Sequence, residues 1–109
     1  MKLSELVKKA DLKEINEYRD RNIEGVYISD MVSDILTNAK TGVLLVTLQT
    51  HKTLIATANL VDVAAIIFVK GKTPPNDVVE LANKAGIPLF VSEADTWTMA
   101  GKLISLGIK

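Results

Sequence analysis

The stretch Val63-Ala-Ala-Ile-Ile-Phe-Val69 is apolar throughout, and Lys70-Gly-Lys-Thr-Pro-Pro75 follows it. Seven apolar residues in a row, ended by a glycine-containing turn, predict a strand that is buried on both faces. Strands of this kind are typical of parallel sheets with helices on both sides. The stretch therefore indicates an α/β domain.

The Gly-Lys-Thr at the end of this strand raises the question of a phosphate-binding P-loop. That motif needs another glycine five residues before Gly71, but an isoleucine stands there, inside the predicted strand. Pro74 and Pro75 also remove two of the N–H groups that a helix N-terminus would offer to a phosphate. We therefore interpret the segment as a strand-to-helix turn, with Thr73 capping the next helix and the prolines in its first turn.

Apolar runs and amphipathic segments alternate along the rest of the chain. Further strands are predicted at 26–28, 43–48 and 87–91, and residues 12–18 are ambiguous, with a short edge strand as one interpretation. Strands that alternate with helices through short links indicate βαβ units. We expect a three-layer, Rossmann-like α/β domain with a mainly parallel sheet of four to five strands. A length of 109 residues is that of one domain, so residues 1–109 are expected to form a single unit.

The composition excludes several classes of function. Lys plus Arg and Asp plus Glu number 13 each, so no net charge favours nucleic acid or an anionic membrane. There is no cysteine and His51 is the only histidine, which leaves no thiolate nucleophile and no zinc site. No apolar run is long enough to span a bilayer, and the N-terminus lacks the features of a signal peptide. We expect a cytoplasmic protein without metal or cofactor. We also expect a homodimer, which the zero net charge permits.

Polar residues or glycine follow each of the four main predicted strands. The candidate ligand-binding residues are Ser29, Asp30, Thr50, His51, Gly71, Lys72 and Ser92. Because ligands of open α/β sheets bind at the carboxyl ends of the strands, we expect a small anion to bind there. Thr50 and the helix amides would hold the anion, His51 or Lys72 would add charge, and Gly71 would permit a close backbone approach.

The same residues have plainer interpretations. Thr50 and His51 also fit a helix cap followed by an exposed histidine. Residues 29–34 contain two Ser-Asp pairs, which fit a helix cap with first-turn acids as well as a metal or acid–base pair. Lys72 fits a solvated turn, and Trp97 is either a core residue or an anchor of a dimer.

Several segments together resemble the DRTGG-domain family. They are Gly25-Val-Tyr-Ile-Ser-Asp-Met-Val-Ser-Asp-Ile35, Leu45-Val-Thr-Leu-Gln-Thr-His51, Phe68-Val-Lys-Gly71 with Pro74-Pro75, and Ala85-Gly-Ile-Pro-Leu89. The resemblance covers about residues 1–108. The string Asp-Arg-Thr-Gly-Gly itself is absent. Asp20-Arg21 matches only its first two residues, and Lys70-Gly71 stands where we expect Gly-Gly or Thr-Gly-Gly in relatives.

The resemblance implies a small Rossmann-like domain with a regulatory or ligand-binding role. Members of the family occur alone, beside CBS domains and within some bacterial phosphotransacetylases. The family is also similar to the amino-terminal domain of HPr kinase/phosphorylase. No kinase activity is implied, because in that enzyme the activity belongs to a separate P-loop domain.

We therefore expect a non-catalytic domain that senses a small anionic ligand, such as a nucleotide or a phosphorylated metabolite. A partner enzyme encoded nearby would receive the signal. The alternative is a protein–protein docking module for a partner enzyme, with no small-molecule ligand. A third hypothesis is a small enzyme that uses Asp30 and His51, but the sequence offers no recognisable nucleophile–base pair.

Overall fold

A computed structural model describes residues 1–109, which form five strands and five helices. The strands are β1 (Lys13–Glu14), β2 (Gly25–Ile28), β3 (Val43–Thr47), β4 (Ala65–Phe68) and β5 (Leu89–Val91). The helices are α1 (Leu3–Lys9), α2 (Val32–Asn38), α3 (Lys52–Val61), α4 (Asn76–Ala85) and α5 (Thr96–Ser105).

The strands make one sheet in the order β1-β5-β4-β3-β2. Strands β2 to β5 are mutually parallel, and β1 pairs antiparallel with β5 at one edge. The expected mainly parallel sheet is therefore confirmed, and the ambiguous segment 12–18 contributes its short edge strand. Next to the edge strand β2, Leu45 of β3 lies between Tyr27 of β2 and Ile66 of β4.

Two hydrophobic cores lie on opposite faces of the sheet, which confirms the three-layer architecture. Helices α2, α3 and α4 cover one face, where they pack on side chains such as Leu45 and Phe68. Helices α1 and α5 cover the other face, which includes Leu44 and Phe90. Every residue of β3 and β4 is buried, and each fully buried large apolar side chain contributes about 1.5–3 kcal/mol. This double burial is the physical cause of the continuous apolar runs in the sequence.

Two helix starts differ from the expectation. Thr73 does not cap α4, which begins at Asn76 directly after Pro75. The reason is that a residue before a proline is driven to extended backbone, which keeps both Thr73 and Pro74 out of the helix. Helix α2 begins after Met31, whose side chain makes no capping hydrogen bond, so the N-cap role expected of Ser29 or Asp30 is also wrong.

None of the helices combines the length and the apolar character that crossing a membrane would require.

Candidate functional site

All seven candidate residues lie at the carboxyl edge of the four parallel strands. Each strand ends in a loop there: the β2–α2 loop (29–31), the β3–α3 loop (48–51), the β4–α4 loop (69–75) and the β5–α5 loop (92–95). The candidates are distributed over these loops as Ser29 and Asp30, Thr50 and His51, Gly71 and Lys72, and Ser92. The fold brings these loops side by side, but the seven residues do not line a single pocket.

Asp30 connects the β2–α2 loop to the β3–α3 loop. Its Oδ1 accepts hydrogen bonds from the Leu48 N–H at 2.7 Å and from the Thr47 hydroxyl at 3.0 Å. The Thr47 hydroxyl oxygen in turn accepts from the Gln49 N–H at 3.0 Å. Ser29 uses its hydroxyl oxygen locally, accepting from the Met31 N–H at 3.2 Å. Asp30 is therefore a positioning residue for the neighbouring loop.

The β3–α3 loop leaves backbone donors free at the start of α3. The His51 N–H donates to Oε1 of Gln49 at 3.1 Å, whereas the N–H groups of Thr50, Lys52 and Thr53 donate to no atom of the chain. His51 is the N-cap residue, in extended backbone, and no side chain caps the helix. The cap interpretation of Thr50 is therefore wrong. The free N–H groups at a helix start carry partial positive charge, which favours an anion.

A shallow pocket of about 290 Å³ opens at these donors. Residues 50–53 line one side, and Pro75, Asp77 and Val78 from the start of α4 line the other. Across the pocket, Nζ of Lys52 lies 3.6 Å from Oδ2 of Asp77, and both side chains are more than half exposed. Exposed pairs of this kind are weak, so an anionic group can compete with Asp77 for Lys52. The pocket can hold a phosphoryl or carboxylate group against the amides.

The β4–α4 loop makes a tight turn that does not face this pocket. Lys70 and Gly71 both have positive φ, 56° and 64°, and the Lys72 N–H returns to the Val69 carbonyl at 3.2 Å, as in a type I′ turn. The N–H groups of Lys70 and Gly71 donate to carbonyls of the β5–α5 loop, each at 2.8 Å. The N–H groups of Lys70, Gly71 and Lys72 are thus all used within the chain, so they are not free for a phosphate.

The close approach that we expected at Gly71 is made to Glu93. A Cβ atom at position 71 would stand 2.6 Å from Oε2 of Glu93. Ser92 is 3% exposed, and its hydroxyl oxygen accepts from the Ala94 N–H at 3.1 Å. Lys72 is exposed. Gly71 and Ser92 therefore hold two loops together, and of this group only Lys72 presents a polar side chain to solvent.

The carboxylates of the two Ser-Asp pairs bind different parts of the chain, although Ser29 of the first pair also hydrogen-bonds to Asp34 of the second. Asp34 accepts hydrogen bonds from the Tyr27 hydroxyl and from the Asn38 amide, both at 2.8 Å. Hydrogen bonds from Ser29, Asn38 and Tyr27 lower the pKa of the Asp34 carboxyl, and the hydrogen bond to Asp34 raises the pKa of Tyr27. Asp30 binds the β3–α3 loop instead, so the two carboxylates do not share a proton or a ligand. No group of three or more His, Asp or Glu side chains is placed to hold a metal ion.

Lys52, Thr53 and Asp77 line the pocket but were absent from the sequence-based candidates. Lys52 and Thr53 directly follow His51, so the motif containing Thr50 and His51 could have been extended to them. Asp77 gave no signal beyond a first-turn acid, because its position at the pocket depends on α3 and α4 being neighbours.

Comparisons with known proteins agree with this architecture. The family model described as the DRTGG domain matches residues 5–106. No curated protein matches the sequence. Among solved structures, the chain is similar to the CBS and DRTGG domains of the regulatory region of Clostridium perfringens pyrophosphatase, complexed with its activator, diadenosine tetraphosphate. The TM-score is 0.72 at 17% sequence identity.

The structural match covers 94% of this chain and 45% of the pyrophosphatase chain. At that identity the likeness establishes the fold alone, and this chain corresponds to less than half of the solved one. The family match rests on the sequence and extends over most of the 109 residues. The chain therefore belongs to the DRTGG-domain family.

Proposed function

We propose that this chain is a non-catalytic regulatory domain that binds a small anionic ligand, a nucleotide or a phosphorylated metabolite, in the pocket at the start of α3. The observation that carries the proposal is the set of three backbone N–H groups, of Thr50, Lys52 and Thr53, that have no acceptor in the chain. Hydrogen bonds from backbone amides at a helix start are a recurrent way of holding phosphate groups.

The other candidate residues have supporting parts in this proposal. His51 is exposed beside the amides and adds positive charge when it is protonated. Asp30 and Ser29 fix the backbone of the two loops that precede α2 and α3. Lys72 supplies a cation at the same edge of the sheet, whereas Gly71 and Ser92 hold the adjoining loops in place.

The solved relative supports a regulatory role. Its DRTGG domain belongs to the regulatory region of a pyrophosphatase, and that region was solved with a nucleotide activator. By analogy we propose that this chain signals ligand binding to a partner enzyme. We also propose, independently of that relative, that it acts in the cytoplasm as a homodimer. Its likeness to HPr kinase/phosphorylase would extend to the fold and not to kinase activity.

A pair of variants at one position tests the role of the backbone amides. Lys52→Ala removes the ammonium group, and Lys52→Pro removes the ammonium group together with the N–H. Proline fits there, because Lys52 is the first residue of α3 and His51 before it is extended, with φ −84° and ψ 155°. The difference in ligand affinity between these two variants therefore reports the contribution of the N–H group alone.

Calorimetric titrations with ATP, diadenosine tetraphosphate and glucose 6-phosphate would make the comparison. For any of these ligands that binds the wild type, Lys52→Pro should bind about 10-fold more weakly than Lys52→Ala, the effect of one hydrogen bond to a charged group. Equal affinities of the two variants would contradict the proposed amide site. Absence of binding by the wild type to all three would count against a nucleotide or sugar phosphate as the ligand.

The alternative function is a docking module for a partner enzyme that needs no small molecule. Exposed apolar side chains on the neighbouring helices α2 and α3, Leu36 and Leu60, favour it, being 51% and 76% exposed. Capture of one stoichiometric partner enzyme that is lost with Leu60→Asp and retained with His51→Ala would support docking. Loss with His51→Ala instead would favour the ligand-dependent regulator.

A further inference from the structure

Helix α5 carries an apolar stripe that nothing in the chain covers. Trp97 is 85% exposed and Ile104 is 73% exposed. They are seven residues apart, which places them on the same side of the helix about 10.5 Å from each other. Ala100 and Gly101 lie between them on that side, and the one charged residue of the helix, Lys102, lies off the stripe.

The stripe borders a groove that exists because the two faces of the sheet are covered unequally. Three helices pack on one face, but only α1 and α5 pack on the other. On the edge strand β2, Val26 is therefore only partly buried against this core and Ile28 is 43% exposed. A groove of about 380 Å³ remains between β2 and α5, lined almost entirely by apolar residues and bounded by Ile104 and Ile108.

The glycine at position 101 is a third feature of this exposed side of α5. It lies in the middle of α5, where glycine costs about 0.5–1 kcal/mol relative to alanine. Its φ is not positive, and a Cβ atom added there would meet no atom within 4 Å. The fold of one chain therefore gives no reason for glycine at this position. A second helix packed closely against the stripe would give one.

We infer that α5 and the adjoining groove form the interface between two copies of this chain, related by a two-fold axis. The midpoint between Trp97 and Ile104 falls between Ala100 and Gly101. Two antiparallel α5 helices crossing at that point place Trp97 of each copy against Ile104 of the other, as a self-complementary contact requires. The groove beside Ile104 then receives the indole of the partner copy.

The size and charge of the surface fit a second copy. Trp97, Ile104 and Ile28 are 85%, 73% and 43% exposed and leave on the order of 500 Å² of surface on each copy, so their complete burial in two copies would remove up to about 1,000 Å², the lower limit expected of a biological interface. The chain has zero net charge, and no charged side chain of α5 lies on the stripe. Lys109 is the one charged residue that lines the groove, so two identical surfaces can meet with little repulsion. The inference gives the proposed homodimer its interface, and it is independent of the proposed ligand pocket.

Complementary charges at the two contacting positions test the arrangement. Sedimentation velocity of the wild type at up to ~0.5 mM would reveal a dimer with a micromolar dissociation constant. Trp97→Glu and Ile104→Lys should each raise that constant about 30-fold or more, because each buries an unpaired charge at the centre of the interface. An equimolar mixture of the two variants should dimerise again, since the new acid of one faces the new base of the other while the native Ile104–Trp97 contact forms on the second side. Leu60→Glu, on the opposite face, is the matched control and should remain dimeric.

Disulfide trapping gives a second test, since the chain has no cysteine. Ala100→Cys lies next to the predicted axis, within the ~7 Å between Cα atoms that a disulfide spans, and leaves Gly101 unchanged, so it should cross-link on mild oxidation. Leu60→Cys should not.

A wild type that is monomeric at all concentrations would overturn both this interface and the homodimer. A dimer that survives Trp97→Glu, or a mixture of the charged variants that stays monomeric, would overturn this interface alone. None of these outcomes alters the prediction for the Lys52 variants at the ligand pocket.

Discussion

Replacing Asp30 by alanine tests whether the β3–α3 loop is held in place from the neighbouring loop. The carboxylate accepts two hydrogen bonds, from the Leu48 N–H and from the Thr47 hydroxyl. Thr47 is 1% exposed, so water does not readily replace the lost acceptor of its hydroxyl. The Leu48 N–H lies at an exposed position and is more easily solvated. The cost should therefore come mainly from Thr47.

The magnitude follows from these two environments. A hydrogen bond contributes about 0.5–1.5 kcal/mol net, and a buried donor left without an acceptor costs about 1–3 kcal/mol. We expect Asp30→Ala to lower the free energy of unfolding by about 1.5 kcal/mol, which is about 8 °C in Tm for a domain of this size. Asp30→Asn keeps one carbonyl acceptor and should cost only about a third as much.

Urea unfolding followed by circular dichroism would measure both losses, with Ser33→Ala on the exposed side of α2 as the control. Hydrogen exchange of the Leu48 amide should accelerate in Asp30→Ala. Thr47→Val should cost clearly less in the Asp30→Ala background than in the wild type, because both changes remove the same contact. Additive losses, or equal losses for Asp30→Ala and Asp30→Asn, would refute this account of the loop.

Three further predictions concern the edge of the sheet and α5. Asp77→Asn should raise the affinity for ATP about 2- to 5-fold in calorimetry, because it removes a negative charge beside the amides and frees Lys52 from its exposed ion pair; unchanged or weaker binding would place the anion elsewhere. A hydrogen bond from the Thr98 N–H lowers the pKa of Asp95 below 3.8, so its contribution to stability is present above that pH and is lost as the pH falls through the lowered pKa. Asp95→Asn keeps a capping oxygen that does not titrate. Thermal unfolding should therefore give the variant a lower Tm than the wild type near neutral pH, and this difference in Tm should disappear in acid. Gly71→Ala and Gly86→Ala should each lower the free energy of unfolding by about 1–2 kcal/mol in urea, because both glycines have positive φ. A variant as stable as the wild type would contradict the expected backbone strain at that position.

The sheet was predictable from the sequence because its cause is local. The run from Val63 to Val69 is apolar in consecutive positions, and only a strand buried on both faces explains that pattern in so short a segment. The start of α4 was not predicted correctly, although its cause is also local. The effect of two successive prolines on the residues before them outweighed the capping preference of Thr73.

The pocket was predicted only in part, because its second wall comes from a different helix. Thr50 and His51 follow a strand directly, so their place at the carboxyl edge required only a parallel sheet. The contribution of Asp77 required knowing that β3 and β4 are neighbours and that α3 and α4 lie on the same face. The sequence did not decide whether Trp97 is a core or a surface residue, since its position on α5 fits either. The structure shows that it is 85% exposed.

The central claim is that backbone amides at the start of α3 bind an anion, and amide chemical shifts test it most directly. Titration of the ¹⁵N-labelled chain with ATP, or with glucose 6-phosphate if ATP does not bind, would report each N–H separately. The largest shifts should be those of Thr50, Lys52 and Thr53, with smaller changes at His51 and at Asp77 across the pocket. Saturable shifts confined to another part of the chain, or no shift with either compound, would contradict the claim.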